Sequence, residues 1–189
     1  MKKLIIILSS FLLVNCTLNK KFPKFDSKAY SGQVLNNELF TNEKTIVIMG
    51  HIECPPMILA LKDLETYQGD FDSAGVQILA FLENTEEHLD KLYQDTASIW
   101  GWFGNRFEID TLTYPIIAEC KCEKITQTKE GTPVIGRHCR KLAWRVWTFS
   151  SPTFLLVNGD GKILRRKKGY PFGGEEKYRR EWLHAFINE

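Results

Sequence analysis

The sequence predicts an α/β domain in which a mixed β-sheet is covered by helices on both faces. Short β-branched apolar runs alternate with segments of helical period along the first two thirds of the chain. Two further strands flank a turn rich in Asn, Asp and Gly, and an amphipathic segment ends the chain. The order strand, helix, strand, helix, strand, hairpin, helix is typical of a sheet covered on both faces.

The length and charge of the chain limit the number of domains and the kinds of partner to expect. The chain has 189 residues, of which 43% are hydrophobic, enough for one domain with a proper core. Lys and Arg number 25 against 23 for Asp and Glu, and Lys2 and Lys3 account for the whole excess. The near balance gives no reason to expect a nucleic-acid partner.

The first fifteen residues predict export. Residues 1–15 carry two lysines and an apolar run too short to span a bilayer of about 30 Å, as in a signal peptide. The following "LVNC" resembles the lipobox of bacterial lipoproteins, in which the cysteine, here Cys16, carries the lipid. Asn15 departs from the usual small residue, so an ordinary secretory signal or an uncleaved anchor stays open. Each alternative places the domain outside the cytoplasm, tethered or free. The lipid anchor would place it in the cell envelope, on a periplasmic or outer membrane face.

The first half of the chain predicts a tether, a strand and a helix. Residues 16–28 are polar and contain a proline, which indicates a tether before a domain at 29–189. "TIVIMG" at 45–50 predicts a buried strand. The helix that follows begins at Pro55, with Cys54 as its cap because a residue before proline avoids helical angles. Its apolar face is Ile58, Leu61, Leu64 and Tyr67, and Lys62, Asp63 and Glu65 lie off that face.

The second half of the chain predicts two more strands, a helix, a surface insertion, a hairpin and a last helix. The strands are at 75–83 and 113–119, with a helix at 85–100 capped by Thr85. A cysteine-rich surface insertion at 120–141 precedes the hairpin at 153–170 and the helix at 175–189. The inward residues of that last helix are Tyr178, Trp182, Leu183 and Phe186.

This order, with C-P-P at 54–56 and "SPTFLLVNGDGKI" at 151–163, resembles the thioredoxin-like superfamily over residues 26–189. The chain looks most similar to the membrane-tethered TlpA/ResA-type redoxins, within the AhpC/TSA-like group. The resemblance implies a thioredoxin-like fold, a catalytic thiol at Cys54 and a cis-proline loop at Pro152 facing it. It also implies that Ser151 offers backbone contacts to a bound substrate.

Four positions depart from the patterns of that superfamily. Glu53 stands where the redoxin motif W-C-x-x-C has its aromatic residue, and Met57 stands in place of the second cysteine. Peroxiredoxins need Thr or Ser at the position of His51 and Pro at that of Val47, which argues against a standard peroxidase. A thioether forms no disulfide, so a resolving thiol must come from elsewhere in the chain, or the chain does not exchange disulfides catalytically.

The electrostatic setting of Cys54 is mixed. A thiol at a helix N-terminus feels the partial positive charge of the helix dipole, which favours the thiolate. Neighbouring Glu53 opposes that effect and a protonated His51 supports it, so the residues leave the net sign open.

Three distant cysteines could resolve a mixed disulfide on Cys54. In the fold that the resemblance implies, the strand at 113–119 ends on the same edge as the strand before Cys54, about two strand spacings or 10 Å away. Cys120 and Cys122 follow that strand, so loop movement could bring either within the roughly 7 Å that a disulfide needs. The preferred static pairing joins Cys139 to Cys120 or Cys122, while idle or structural roles for all three stay open.

Metal binding is a further alternative. Cys120, Cys122, His138 and Cys139 could hold Zn²⁺ or Cu(I), and Cys54, Met57 and His51 form a second soft set. The copper-binding Sco proteins share the implied fold, but Ile58 stands where their second cysteine would be. We expect no cofactor.

The function predicted from these residues is thiol–disulfide exchange with envelope proteins by an exported, lipid-anchored domain. The alternative is a non-catalytic binding module of the same fold. "RRKK" at 165–168 indicates a solvated sheet edge, with contact to anionic lipid as a second interpretation.

Overall fold

A five-stranded mixed sheet forms the centre of the molecule, and the predicted α/β class is confirmed. The structure, a computed structural model, describes residues 20–94, 99–118, 126–127, 133–134 and 151–188. Its strands are β1 (Asp26–Lys28), β2 (Val34–Asn36), β3 (Lys44–Gly50), β4 (Val76–Leu82), β5 (Ile116–Ile117), β6 (Thr126–Gln127), β7 (Pro133–Val134), β8 (Thr153–Asn158) and β9 (Ile163–Lys168). Its α-helices are α1 (Pro55–Thr66), α2 (Gln68–Ser73), α3 (Glu86–Gln94), α4 (Ile99–Arg106) and α5 (Glu176–Asn188).

The central sheet has the strand order β5-β4-β3-β8-β9. β3 runs parallel to β4 and antiparallel to β8, and β9 closes the hairpin that the sequence predicts. The register pairs Met49 with Thr153, so the carboxyl end of β3 lies beside the start of β8. This places residues 50–54 next to residues 151–153.

The two faces of the sheet are buried in different ways. Side chains of α1, α2, α3 and α5 join the first core cluster, which contains Ile46, Ile48, Phe154 and Phe186. On the opposite face, the segment 20–40 packs over Val47, Leu79 and Leu155 and includes a short 3-10 helix, Asn37–Leu39. Among the described residues, no helix has the length and apolar character needed to cross a membrane.

The domain begins earlier than residue 29. Phe22 is buried and packs against the rings of Phe25, Phe40 and Phe81, and β1 pairs with β2. Residues 20–28, assigned to the tether from their polarity, therefore belong to the folded unit. The lysines around the two phenylalanines lower the average hydrophobicity and conceal the apolar positions.

Two side chains lie differently from their predicted positions. Tyr178 is 55% exposed instead of facing the core, because the last helix buries Leu183, Phe186 and Ile187 on its other side. Asp63 is buried, and it accepts hydrogen bonds from Tyr170 Oη at 2.7 Å and Arg179 Nε at 2.5 Å. A charged partner across the fold makes its burial tolerable.

One strand is shorter than predicted. The strand at 113–119 is reduced to Ile116–Ile117, and Pro115, which has no N–H, precedes it. The helix predicted at 85–100 is described over Glu86–Gln94 and α4 begins at Ile99, while residues 95–98 lie outside the described residues. Thr85 does cap its helix, since its Oγ1 accepts from His88 N at 3.2 Å.

Candidate functional site

Cys54 lies at the N-terminus of α1 as its cap residue, with extended backbone angles as predicted. Its backbone N–H donates to His51 O at 3.2 Å, which closes a tight turn between β3 and the helix. The thiol is half-buried, unpaired, and the one cysteine within the described residues. The thiol therefore lies at the carboxyl end of the central strand and is partly accessible to a partner.

The loop before β8 faces this thiol. Cys54 Sγ donates a hydrogen bond to Ser151 O at 3.1 Å. The Ser151–Pro152 peptide bond is cis, as the resemblance implied. Ser151 Oγ accepts from His51 N at 3.0 Å, so the serine holds the two loops together. The structure thus brings Cys54, Ser151 and Pro152 into one site.

The first turn of α1 offers few free N–H groups to the thiol. Pro55 and Pro56 have none, and Met57 N donates to Cys54 O at 2.8 Å. Direct N–H donors of the kind that bind anions at other helix N-termini are therefore not aimed at Sγ. The described partner of Sγ is a carbonyl acceptor instead.

Met57 fills the position of the missing cysteine as a core residue. Its side chain is fully buried, in the first core cluster. A Cβ placed on Gly50 would lie 3.0 Å from Met57 Sδ and 2.2 Å from Ser151 Oγ, so only glycine fits there. The thioether is buried in the core beside Gly50 and is not presented to a metal or partner.

A polar cluster of His51, Glu53 and Asn84 flanks the thiol. Glu53 Oε2 is 3.0 Å from His51 Nδ1 and accepts from Asn84 Nδ2 at 3.1 Å. Buried Asn84 also accepts from Ile52 N through its Oδ1 at 2.8 Å. The cluster thereby fixes the turn that carries Cys54.

The pKa values of this cluster favour an ion pair. The hydrogen bond to Glu53 raises the pKa of His51 above its ordinary value, against the opposing effect of burial. Burial acts to raise the pKa of Glu53, but hydrogen bonds from His51, Asn84 and its own backbone N–H leave it below its ordinary value. Sequence reasoning identified the opposing charges of Glu53 and His51 but missed Asn84, whose one signal is its place just after β4.

Several predicted site residues lie outside the described residues. They are Cys16, Cys120, Cys122, His138 and Cys139. Lipidation, the disulfide pairing and the Cys-rich metal set therefore stay predictions. Within the part of the chain that is described, no group of three or more His, Cys, Asp or Glu residues is arranged to hold a metal ion.

Comparison with known proteins identifies the fold. No family model matches the sequence, and no curated protein matches it significantly. A Chlorobium tepidum structure, provisionally described as the thiol:disulfide interchange protein DsbE, is 14% identical with a TM-score of 0.58 and covers 89% of this chain and 96% of that one. StoA from Bacillus subtilis is 18% identical with a TM-score of 0.51 and covers 86% and 97%.

A third similar structure is a single-cysteine enzyme. The yeast mitochondrial 1-Cys peroxiredoxin is 14% identical with a TM-score of 0.56, and the match covers 89% of this chain and 75% of that one. At such identities the likeness establishes the fold alone. The chain has a thioredoxin-like fold with a mixed sheet, as expected from the resemblance.

Proposed function

We propose that this chain is an exported, lipid-anchored thiol–disulfide exchange protein of the cell envelope, with Cys54 as its catalytic thiol. The observation that carries the proposal is the contact between Cys54 Sγ and Ser151 O at 3.1 Å, beside the cis-proline loop. A half-buried thiol at the carboxyl end of the central strand, beside the loop of Ser151 and Pro152, suits attack on a disulfide-bearing segment. The fold shared with DsbE- and StoA-type proteins supports the same chemistry.

The exchange begins at Cys54. The Cys54 thiolate attacks one sulfur of a partner disulfide, forms the new S–S bond, and expels the partner's other sulfur as a thiolate. A resolving thiolate of the same chain then attacks Cys54 Sγ in the mixed disulfide, forms a disulfide with Cys54, and expels the partner's second sulfur as a thiolate. The partner is thereby reduced by two electrons, and the two electrons come from Cys54 and the resolving thiol, which end as an intramolecular disulfide. A second thiol is required because buried Met57 forms no disulfide.

We assign the resolving role to Cys120 or Cys122. These residues follow β5, which pairs with β4, which in turn pairs with β3. Because the three strands are parallel, their carboxyl ends share one edge, about 10 Å across. Cys139 would then close the insertion with the remaining cysteine of the pair, as in a Cys122–Cys139 disulfide.

The test is disulfide reduction by residues 17–189 with insulin as substrate and dithiothreitol as reductant. We expect Cys54→Ser to abolish the catalysed rate and Cys139→Ser to retain most of it. In the reduced, folded protein, iodoacetamide at mildly acidic pH should label Cys54 faster than Cys139. Equal, slow labelling of the two thiols would contradict the proposal.

A trapping experiment identifies the resolving thiol. If Cys120 or Cys122 resolves the intermediate, replacing that residue by serine should accumulate a Cys54 mixed disulfide, seen as a higher mass under non-reducing conditions. The other single serine variant is the matched control and should accumulate none.

A binding module is the second candidate, and the packing of Met57 favours it. A fully buried thioether in place of the second cysteine is compatible with a fold that has lost the dithiol cycle. In that case the insulin assay gives no catalysed rate with or without reductant, and Cys54→Ser leaves partner capture unchanged. Copper or zinc binding predicts instead stoichiometric metal that is lost on Cys122→Ser.

A further inference from the structure

The chain enters the folded domain along the outer edge of the sheet. Ile163 N donates to Lys20 O at 2.9 Å, and Phe22 N donates to Gly161 O at 2.7 Å. Lys21 forms an isolated antiparallel bridge with Lys162. The first described residues therefore lie against the start of β9, the edge strand on this side.

The four basic residues of β9 divide into two pairs. Arg165 Nη1 donates to Phe186 O at 2.7 Å, and Lys167 Nζ lies 4.7 Å from the centre of the Trp182 ring, so both serve the packing of α5. Arg166 and Lys168 are exposed, and their strand partners are Leu155 and Thr153. Leu155 belongs to the core cluster under the N-terminal segment, so this second pair shares the face of that segment.

Four cations are therefore spread along one edge of the sheet, from Lys20 and Lys21 beside the start of β9 to Lys168 at its end. Lys20 and Lys21 are exposed like Arg166 and Lys168, and we call these four residues the basic edge. Asp160 is the one acidic residue between Thr153 and Lys168, and none lies between residues 17 and 25. The two segments that form this edge thus carry a clear excess of positive charge.

Cys16 lies four residues before Lys20, a separation of at most about 14 Å for a fully extended chain. A lipid on Cys16 would hold the basic edge close to the headgroups, where electrostatic attraction reaches about 8 Å at physiological salt. We propose that the basic edge rests on an anionic lipid surface. This inference depends on the lipid anchor of the proposed function and not on the redox chemistry of Cys54.

The contact would set the direction in which the thiol faces. β3 lies two strands inward from β9, so the carboxyl end of β3 and Cys54 stand about 10 Å from the edge. With that edge on the lipid, the strand axes lie parallel to the membrane plane. The site at the carboxyl end of β3 then faces along the membrane, and not toward or away from it. The substrates best placed for it are disulfides of other proteins held close to the same membrane.

Lysine acetylation of the lipidated full chain in nanodiscs tests the orientation. We expect the acetylation rates of Lys20, Lys21 and Lys168 to be lower by at least about threefold in discs containing phosphatidylglycerol than in phosphatidylcholine discs. High salt should remove this difference, because it screens the attraction. Lys28 and Lys177 are internal controls, because both are exposed and lie on other elements. Intact mass establishes the lipid beforehand, and its absence would overturn the inference without bearing on Cys54.

Matched charge reversals complete the test. Lys21→Glu with Lys168→Glu should abolish the protection of Lys20 by anionic discs, whereas Lys28→Glu with Lys177→Glu, the same change in net charge, should preserve it. Equal acetylation of Lys20 in the two kinds of disc, or equal protection of Lys28 and Lys177, would overturn the proposal. Insulin reduction is not a readout here, so its outcome leaves this result unaffected.

Discussion

The residue that separates this site from a dithiol site is Met57. It occupies the third position of α1, where its side chain is buried beside Gly50. The protein therefore keeps the helix, the cap and the facing loop of a redox site but has a thioether where the second sulfur would react. The absence of a second thiol, and not the backbone conformation, prevents this turn from forming a local disulfide.

Met57→Cys should convert the site into one that forms a local disulfide. The introduced thiol would stand three residues after the cap, within reach of Cys54, while loss of the thioether lowers the free energy of unfolding by about 1–3 kcal/mol. Oxidised glutathione should then remove both thiols from alkylation, as counted by mass. Met57→Ala is the control, because it creates a similar cavity without adding a thiol. After the same treatment, removal of excess glutathione and mild reduction of any glutathione adduct, its Cys54 should still be alkylated. Persistent labelling of both thiols in Met57→Cys would show that the turn cannot close.

The pair His51 and Glu53 should make stability depend on pH. The raised pKa of His51 stabilises the fold below its unfolded value of about 6.5, and this contribution is lost as pH rises through the folded pKa. The lowered pKa of Glu53 contributes above about 4.3 and is lost as pH falls through its folded pKa. The pair is therefore most stabilising between these two values, by under about 1 kcal/mol because both side chains are partly exposed.

Urea unfolding of the wild type and His51→Gln checks this window. The difference in free energy of unfolding should be larger at about pH 5.5 than at about pH 8.5. In a Glu53→Gln background the same substitution should show no such pH dependence, since the charged partner is gone. A difference that grows with pH would contradict the assignment.

At the scale of elements, a buried ion pair joins α1 to α5. Asp63 on α1 contacts Arg179 on α5 and the Tyr170 hydroxyl that precedes that helix. Side-chain exposure is 3% for Asp63 and 14% for Arg179, whereas the second pair to this helix, Asp70 with Arg180, is exposed. This buried ion pair thus connects α1, the helix capped by Cys54, to α5.

Asp63→Ala should destabilise the protein far more than Asp70→Ala. The first substitution leaves Arg179 buried without its partner, at a cost of about 3–5 kcal/mol. The second removes an exposed pair and should cost under about 1 kcal/mol. Urea midpoints at neutral pH measure both, and similar midpoints for the two variants would show that the Asp63 pair is not energetically distinct.

At the scale of the whole molecule, the sequence predicts the sheet and the thiol better than the surfaces around them. β3, β8 and α1 are recognisable because apolar runs and the prolines after Cys54 are local signals. The burial of Asp63, Phe22 and Asn84 depends on partners far along the chain, so no local period reveals it. Tyr178 was misplaced because its position fits the helical period of Trp182 and Phe186, whereas the structure buries Ile187 on this helix and leaves Tyr178 exposed.

The same long-range pairing governs when the site can form. Cys54 and its partner Ser151 are 97 residues apart, and Lys44 donates to Ile187 O across 143 residues. Contacts of such separation close slowly, after the loops between them have been ordered. If the chain is exported as proposed, with its N-terminus first, Cys54 therefore stays in an unfolded segment until β8 arrives. During that interval the thiol is open to any oxidant in the compartment, and only completion of the hairpin places it against Ser151.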